Sequence, residues 1–397
     1  MWTLAIAVLL FNVGMSIFFF LYNLFMLDLG YREGPLGVLT GALALGSMVG
    51  TIPMGMAAQR VGSRNVLVVC LLLLAVAFGA RVFLFWYPVQ IAFAFLDGVL
   101  LCGWVVCLSP AVAAVVDERR RPAAFSLLFA TAIIAGALGG LLGGNMPRWC
   151  SNLLSRSMGI AVSGVNAKRI TLLASCVFTA LAAVPIARLS RITAPLRREP
   201  VGWPARGSPF LVRFLLASAL WAAAMGAFNP FTNVFFVRHV GLTTDHLGNF
   251  FGVAQLVQTA GVLLMPVLLR RAGFVPAISA AQIGSATALV LLAWAHGILA
   301  GEALYCMFMF AQHMCDPAFQ NLLMDGVAED QRNPAAALNY LVTSLGQAVA
   351  ALCAGTAFQE FGYPPVLITI AVGCLGSAFA LRTLLRGWHK SAGVPLT

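Results

Sequence analysis

Arg81, Asp97, His313 and Asp316 are ionisable residues set inside long apolar runs. An ionisable group in such surroundings is costly. It persists by pairing, by facing a water-filled cavity, or by carrying protons. Arg81 stands about seven residues from the end of its run, and Asp97 about eight residues into the next run from the same side. At about 1.5 Å per helical residue, both lie roughly 10–12 Å deep. Adjacent antiparallel helices would bring them to one level, so an ion pair is expected between them. Such a pair serves as a staple between two helices or as a proton-coupling or gating element, because burial raises a carboxyl group's affinity for a proton.

His313, Asp316 and Gln320 follow at i, i+3 and i+7, on one face of a helix, with Gln312 beside them and Pro317 inside the run. A stripe of this kind is expensive against lipid, so it is expected to face a cavity, as a substrate or proton site, or to bond a neighbouring helix. His313 has the one side-chain chemistry that titrates near neutral pH when unperturbed. Asp97, Arg81, His313 and Asp316 are therefore the proton-coupling candidates. Uncharged polar residues recur at helical spacing elsewhere: Asn12, Ser16 and Asn23, in register with the apolar Phe19; Asn229 and Asn233; Gln255 and Gln258; Tyr340, Ser344 and Gln347. Each polar residue bonds a neighbouring helix or orients a polar substrate in a cavity, and Phe19 offers apolar wall.

Several chemistries find no support. No second His or Cys completes a ligand set around His313, so no metal site is expected. No nucleophile–base–acid set stands out, which argues against an enzyme, and no cofactor motif is present. The two lysines, Lys168 and Lys390, do not follow a glycine-rich phosphate loop, so ATP is not the energy source. A channel would need a continuous polar stripe or a filter loop, and neither is visible.

The elements that must hold these residues follow from composition. Of 397 residues, 61% are hydrophobic and 9% charged, against roughly 25% charged in a soluble domain. Apolar runs over 3–27, 36–58, 66–87, 89–116, 124–146, 169–188, 210–237, 247–269, 275–296, 302–324, 335–359 and 364–385 each approach the ~20 residues a bilayer-spanning helix needs. Helices are required because a run in lipid must satisfy its own backbone hydrogen bonds. The first run is too long for the apolar region of a cleavable signal peptide.

An even number of spans puts both termini on one side. On that side lie seventeen of the 24 basic residues, with six opposite and Arg81 within a span. By the positive-inside rule both termini are cytoplasmic, in the cytoplasmic (inner) membrane. The net charge of +11 is thus a topology signal rather than a nucleic-acid footprint. Eight of the nine cysteines sit in apolar runs, with Cys150 placed in a loop, and this gives no disulfide framework.

Residues 189–209, rich in proline and arginine, read as a cytoplasmic linker between a six-helix bundle over 1–188 and another over 210–397. Sliding the chain by 211 positions aligns Gly30 with Gly241, Leu36-Gly37 with Leu247-Gly248, Gly41 with Gly252, Gly50 with Gly261, Arg60 with Arg271 and Gly62 with Gly273. That register predicts two homologous bundles in the same orientation, related about the membrane normal.

Gly55-Met56-Ala57-Ala58-Gln59-Arg60-Val61-Gly62-Ser63-Arg64 resembles the loop motif between spans two and three of major facilitator superfamily transporters. Gly55, Arg60, Gly62 and Arg64 match; Gln59 stands where the family carries aspartate. The resemblance implies an all-α membrane protein of twelve transmembrane helices in two pseudo-symmetric six-helix bundles. It also implies a role for the motif in conformational exchange, though the missing aspartate puts one acidic contact in doubt, and Arg60 and Arg64 are then expected to bond helix ends or lipid phosphates. Gly136, Gly139, Gly140, Gly143 and Gly144 resemble the glycine-rich fifth span of antiporters, with Gly140 where that motif has proline; close helix packing explains them as well. The arginine that drug antiporters carry in span four is absent.

What this implies is a monomeric secondary transporter in the lipid bilayer. It would move a small organic molecule by alternating access, coupled to protons, with export of a largely apolar cargo favoured and proton-coupled uptake of a small metabolite as the alternative.

Overall fold

The computed structural model describes residues 2–116, 120–158, 163–189, 208–328 and 331–385. Most of the proline-rich linker and the C-terminal tail from residue 386 lie outside the described residues. Among the described residues there is no strand. Among the described residues, twelve helical segments are long and apolar enough to cross a membrane, and they fall on the twelve runs identified above.

Two compact units divide the chain: Met1–Glu199 with Leu242–Val253, and Pro200–Gly241 with Ala254–Thr397. The boundary therefore departs from a simple cut at the linker, because Leu242–Val253 groups with the first unit.

The first unit contains α1 (Trp2–Asp28), α2 (Glu33–Val61), α3 (Ser63–Phe83), α4 (Tyr87–Val115), α5 (Arg121–Met158), α6 (Gly164–Leu181) and the short α7 (Ala183–Ala187). α1 lies against α5 and α6, α2 against α4, and α3 against α4 and α6. α1 is anchored to α3 by aromatic stacking: Phe18 lies 3.7 Å from Phe78, centroid to centroid.

The α2–α4 contact is backbone on backbone. A Cβ on Gly46 would overlap the carbonyl of Phe95, one on Gly98 would overlap that of Leu43, and one on Gly50 would lie 2.9 Å from the Cα of Val99. Ser47 Oγ donates to the Gly98 carbonyl at 3.1 Å across the same contact. Small residues are what lets helices approach this closely.

α5 corrects one expected boundary. Pro147 and Arg148 read as the end of span five at residue 146, yet the helix continues to Met158. Hydropathy reports where the apolar stretch stops, not where hydrogen bonding stops, and Cys150 accordingly sits in this helix rather than in a loop.

The second unit is built from α8 (Pro209–Phe228), α9 (Thr232–Phe235), most of α10 (Thr244–Ala272), α11 (Phe274–Ala293), α12 (Ile298–Gly326), α13 (Arg332–Phe361) and α14 (Tyr363–Leu384). α8 packs on α13 and α14, and α11 on α12 and α14. Span seven is not one continuous helix. After α8 come a 3₁₀ turn at Asn229–Phe231, the single turn α9, and a π turn at Phe236–Val240 that ends on left-handed Gly241. Pro230 supplies the cause, since it has no N–H for the helical ladder.

The 211-residue register recurs in three dimensions. Gly30 (φ 91°) and Gly241 (φ 84°), like Gly62 (φ 85°) and Gly273 (φ 80°), occupy matching left-handed turns. Only glycine enters that region without steric cost. Gly50 packs on Val99 in the first unit. In the second, Gly261 packs on Phe310, the residue 211 positions after Val99.

Candidate functional site

The buried charge of the first unit is held by α1, α3 and α4. Arg81 lies in the last turn of α3 and Asp97 in α4; they are 3% and 0% exposed, with Arg81 Nη1 2.6 Å from Asp97 Oδ2. This is the ion pair that their equal depth predicts. Two further residues close the network. Gln90 Oε1 accepts from Arg81 Nε at 3.2 Å and from the Tyr22 hydroxyl. Gln90 Nε2 donates to the carbonyls of Arg81 at 2.8 Å and Leu84 at 2.5 Å, at the point where α3 ends. The guanidinium stands 4.1 Å from the centroid of the Tyr22 ring, within cation–π range.

Asp97 Oδ1 has no hydrogen-bond partner, so half of the carboxylate is satisfied by Arg81 and half by nothing but the surrounding protein. Gln90 was not singled out from the sequence. Its spacing of seven from Asp97 puts both on one face of α4, and that signal would have found it.

In the second unit, α12 carries the remaining ionisable candidates. His313 Nδ1 lies 3.1 Å from the Met309 carbonyl. Asp316, three residues on, is exposed. Gln312 is 5% exposed, and its Oε1 has no hydrogen-bond partner. Pro317 brings no N–H to the His313 carbonyl one turn earlier.

The uncharged candidates divide by exposure. On α1, Asn12 is half-buried and donates to the Val8 carbonyl at 2.8 Å. Ser16 is taken up in packing against Gly139, Phe19 is 40% exposed beside Phe78, and Asn23 is half-buried. Asn229 is exposed at the break in span seven, whereas Asn233 is buried and accepts from the Val234 N–H at 2.9 Å. Gln255, Gln258 and Tyr340 are half-buried, and Gln347 is exposed on α13, with its backbone against Gly226. No cluster of three potential metal ligands occurs among the described residues.

Of the loop motif, Gly55 lies within α2 with open space where a side chain would be, and Gly62 makes the left-handed turn into α3. Arg60 is exposed, and Arg64 donates from Nη2 to the Ala187 carbonyl at the end of α7. A cation at a helix C-terminus is favourable, so Arg64 acts on a helix end, as the missing aspartate led us to expect.

The span-five glycines work on two faces. Gly139 and Gly143 receive Ser16, Ile17 and Phe20 of α1, whereas Gly140 and Gly144 receive Gly248 near the start of α10, with a Gly144 Cβ position 2.6 Å from the Gly248 Cα. Asn145 Nδ2 donates to Asn249 Oδ1 at 2.8 Å, and Arg148 pairs with Asp245 at 3.0 Å. That pair is 68% and 30% exposed, so water screens it. Asp245→Asn is expected to cost less than about 1 kcal/mol in an unfolding titration, and a larger loss would mean the pair is shielded. Asp28 pairs with Lys168 at 2.8 Å.

Comparison with known proteins agrees with this architecture. Among solved structures, a bacterial homologue of the human lysosomal transporter Spinster, inward-facing and occupied, aligns with a TM-score of 0.80 at 14% identity, covering 97% of this chain and 96% of that one. A mutant of the nucleoside transporter NupG aligns with a TM-score of 0.79 at 14% identity, covering 97% and 99%. A bacterial homologue of the iron transporter ferroportin, inward-facing, gives 0.70 at 15% identity, covering 98% of both. At these identities the likeness concerns the fold. Comparison with curated proteins finds no match. The family model of the Major Facilitator Superfamily matches residues 4–350, and with twelve membrane-length helices in place this chain belongs to that superfamily, as a multi-pass membrane transporter rather than an enzyme.

Proposed function

We propose that the protein couples the movement of a small organic molecule to proton flow, with Asp316 and His313 of α12 as the proton-carrying groups and Arg81–Asp97 as a staple of the first unit. The carrying observation is the contrast between the two carboxylates. Asp97 is fully buried and held by Arg81 at 2.6 Å. Asp316 is exposed within a membrane-spanning helix, one turn from an imidazole. An accessible carboxyl that neutralises and ionises by turns is what a proton relay needs.

The functional architecture we infer has two six-helix lobes, 1–188 and 210–397, joined by the 189–209 linker. The protein works by alternating access as a monomer in the cytoplasmic membrane, with both termini inside. The cargo meets the exposed or half-buried polar positions: Asn12, Asn23, Asn229, Gln255, Gln258, Tyr340 and Gln347, with Phe19 as apolar wall. Few fixed cations accompany them, which disfavours a strongly anionic cargo. Export is the favoured direction. Uptake of a small polar metabolite is the second reading, supported by the exposed amides of Asn229 and Gln347.

Reconstituted protein, screened for flux of candidate cargos in liposomes, tests the proposal. A gradient of about one pH unit supplies about 1.4 kcal/mol per proton, and should drive accumulation by wild type. Asp316→Asn should lose the gradient response while still binding cargo. Flux indifferent to the gradient and to Asp316→Asn would remove proton coupling, and unsaturable ion current would indicate a channel.

A further inference from the structure

Two of the five histidines in the chain, His239 and His296, line one cavity of about 420 Å³ in the second unit. Neither takes part in the transport chemistry proposed above. His239 sits in the π turn at Phe236–Val240, a geometry that recurs at functional positions, and Gly241 closes the turn by donating its N–H to the Phe236 carbonyl. The imidazole is steadied by aromatic neighbours, with ring centroids 5.3 Å from Phe235 and 5.5 Å from Tyr363. His296 lies in the short connection between α11 and α12, next to left-handed Gly297. Both histidines are exposed, and both face the same cavity.

The rest of the cavity wall is apolar side chain and backbone: Val240, Ala293, Trp294, Ala295, Gly297 and Pro364. Among the described residues no carboxylate or cation lines it. Two exposed imidazoles with no acid beside them offer nitrogen ligands. Nitrogen of this kind suits zinc, copper and nickel, whereas magnesium and calcium require oxygen.

We propose that His239 and His296 together bind a divalent transition-metal ion. Each ring supplies one nitrogen, and water completes the coordination shell. Among the described residues no third His, Cys, Asp or Glu joins them, so the ion is exchangeable rather than a structural component. Binding replaces two waters of the hydrated ion by two imidazole nitrogens, with no net change of charge. The ion ties the end of span seven to the connection between spans nine and ten, and protons compete with it for the same nitrogens.

The test is a Zn²⁺ titration of the purified full-length protein by calorimetry, in chelator-free buffer at neutral pH. Wild type should bind one Zn²⁺ saturably at micromolar concentration and gain thermal stability as it fills, while Mg²⁺ should do neither. His239→Gln and His296→Gln should each weaken Zn²⁺ binding by about tenfold or more, with unchanged gel-filtration profiles. His246→Gln should leave it intact. The proposal is overturned by the absence of saturable Zn²⁺ binding to wild type below about 1 mM. It is equally overturned if only one of the two substitutions weakens binding, or if neither does.

Discussion

Replacing Arg81 by Met should destabilise the protein by about 3–5 kcal/mol, the cost of stranding one member of a buried ion pair. The magnitude follows from the site rather than from the pair alone. Asp97 is 0% exposed, and its Oδ2 has Arg81 as partner at 2.6 Å. Its Oδ1 has none. Removing the guanidinium leaves a buried carboxyl with no charge partner. Gln90 loses one of its two donors at Oε1, and Tyr22 loses the cation stacked on its ring.

The same reasoning makes the double substitution Arg81→Met with Asp97→Leu recover most of the loss, because a buried pair replaced by apolar groups of similar volume is often neutral or better. Denaturant or thermal unfolding in detergent distinguishes the two. A double variant as unstable as the single would mean that Gln90 and Tyr22, rather than charge, set the cost. If the double variant also keeps its response to a pH gradient, the pair is a staple, as we propose; if stability returns and the response is lost, Asp97 belongs to the proton path.

Gly98→Ala should be the second severe change, costing about 3 kcal/mol or more, at or beyond the upper end for overpacking. The added carbon would overlap the Leu43 carbonyl oxygen and lie 2.7 Å from the Ser47 nitrogen. Those atoms are helix backbone, which cannot swing aside like a side chain, so α2 and α4 would have to separate along the contact that includes Gly46 and Gly50. Gly79→Ala is the matched control. Nothing lies within 4 Å of its Cβ position, and alanine is the better helix former by about 1 kcal/mol, so its effect should be neutral or mildly stabilising. Folded yield and unfolding midpoint of the two variants give the comparison; equal effects would mean that α2 and α4 do not meet as closely as described.

How much of this was legible beforehand depended on the kind of physics involved. The twelve spans could be read from apolar runs because lipid imposes one length and one type of element. The Arg81–Asp97 pair could be read because depth is a one-dimensional quantity, counted from helix ends. The repeat could be read because Gly30, Gly62, Gly241 and Gly273 are held to glycine by left-handed backbone, and Gly50 and Gly261 by close helix contact.

Other features depend on geometry that hydropathy does not carry. α5 runs past Pro147 because a helix can continue where the apolar stretch ends. The break at Asn229–Phe231 was hidden inside a continuous apolar run although Pro230 was in plain sight. Gln90 is marked in the sequence only by its spacing of seven from Asp97, because no second amide of α4 repeats with it. The grouping of Leu242–Val253 with the first unit rests on packing against Gly140 and Gly144, which no single segment reveals.

The most direct measurement is of protons themselves. Protein is reconstituted into liposomes containing a pH-sensitive dye, and a cargo identified by the flux screen is added with no gradient imposed. Wild type should move protons only when cargo is added, at a rate that saturates with cargo, and Asp316→Asn should bind cargo without moving protons. Cargo transport by wild type with no accompanying proton movement, or proton movement undiminished in Asp316→Asn, would contradict the account.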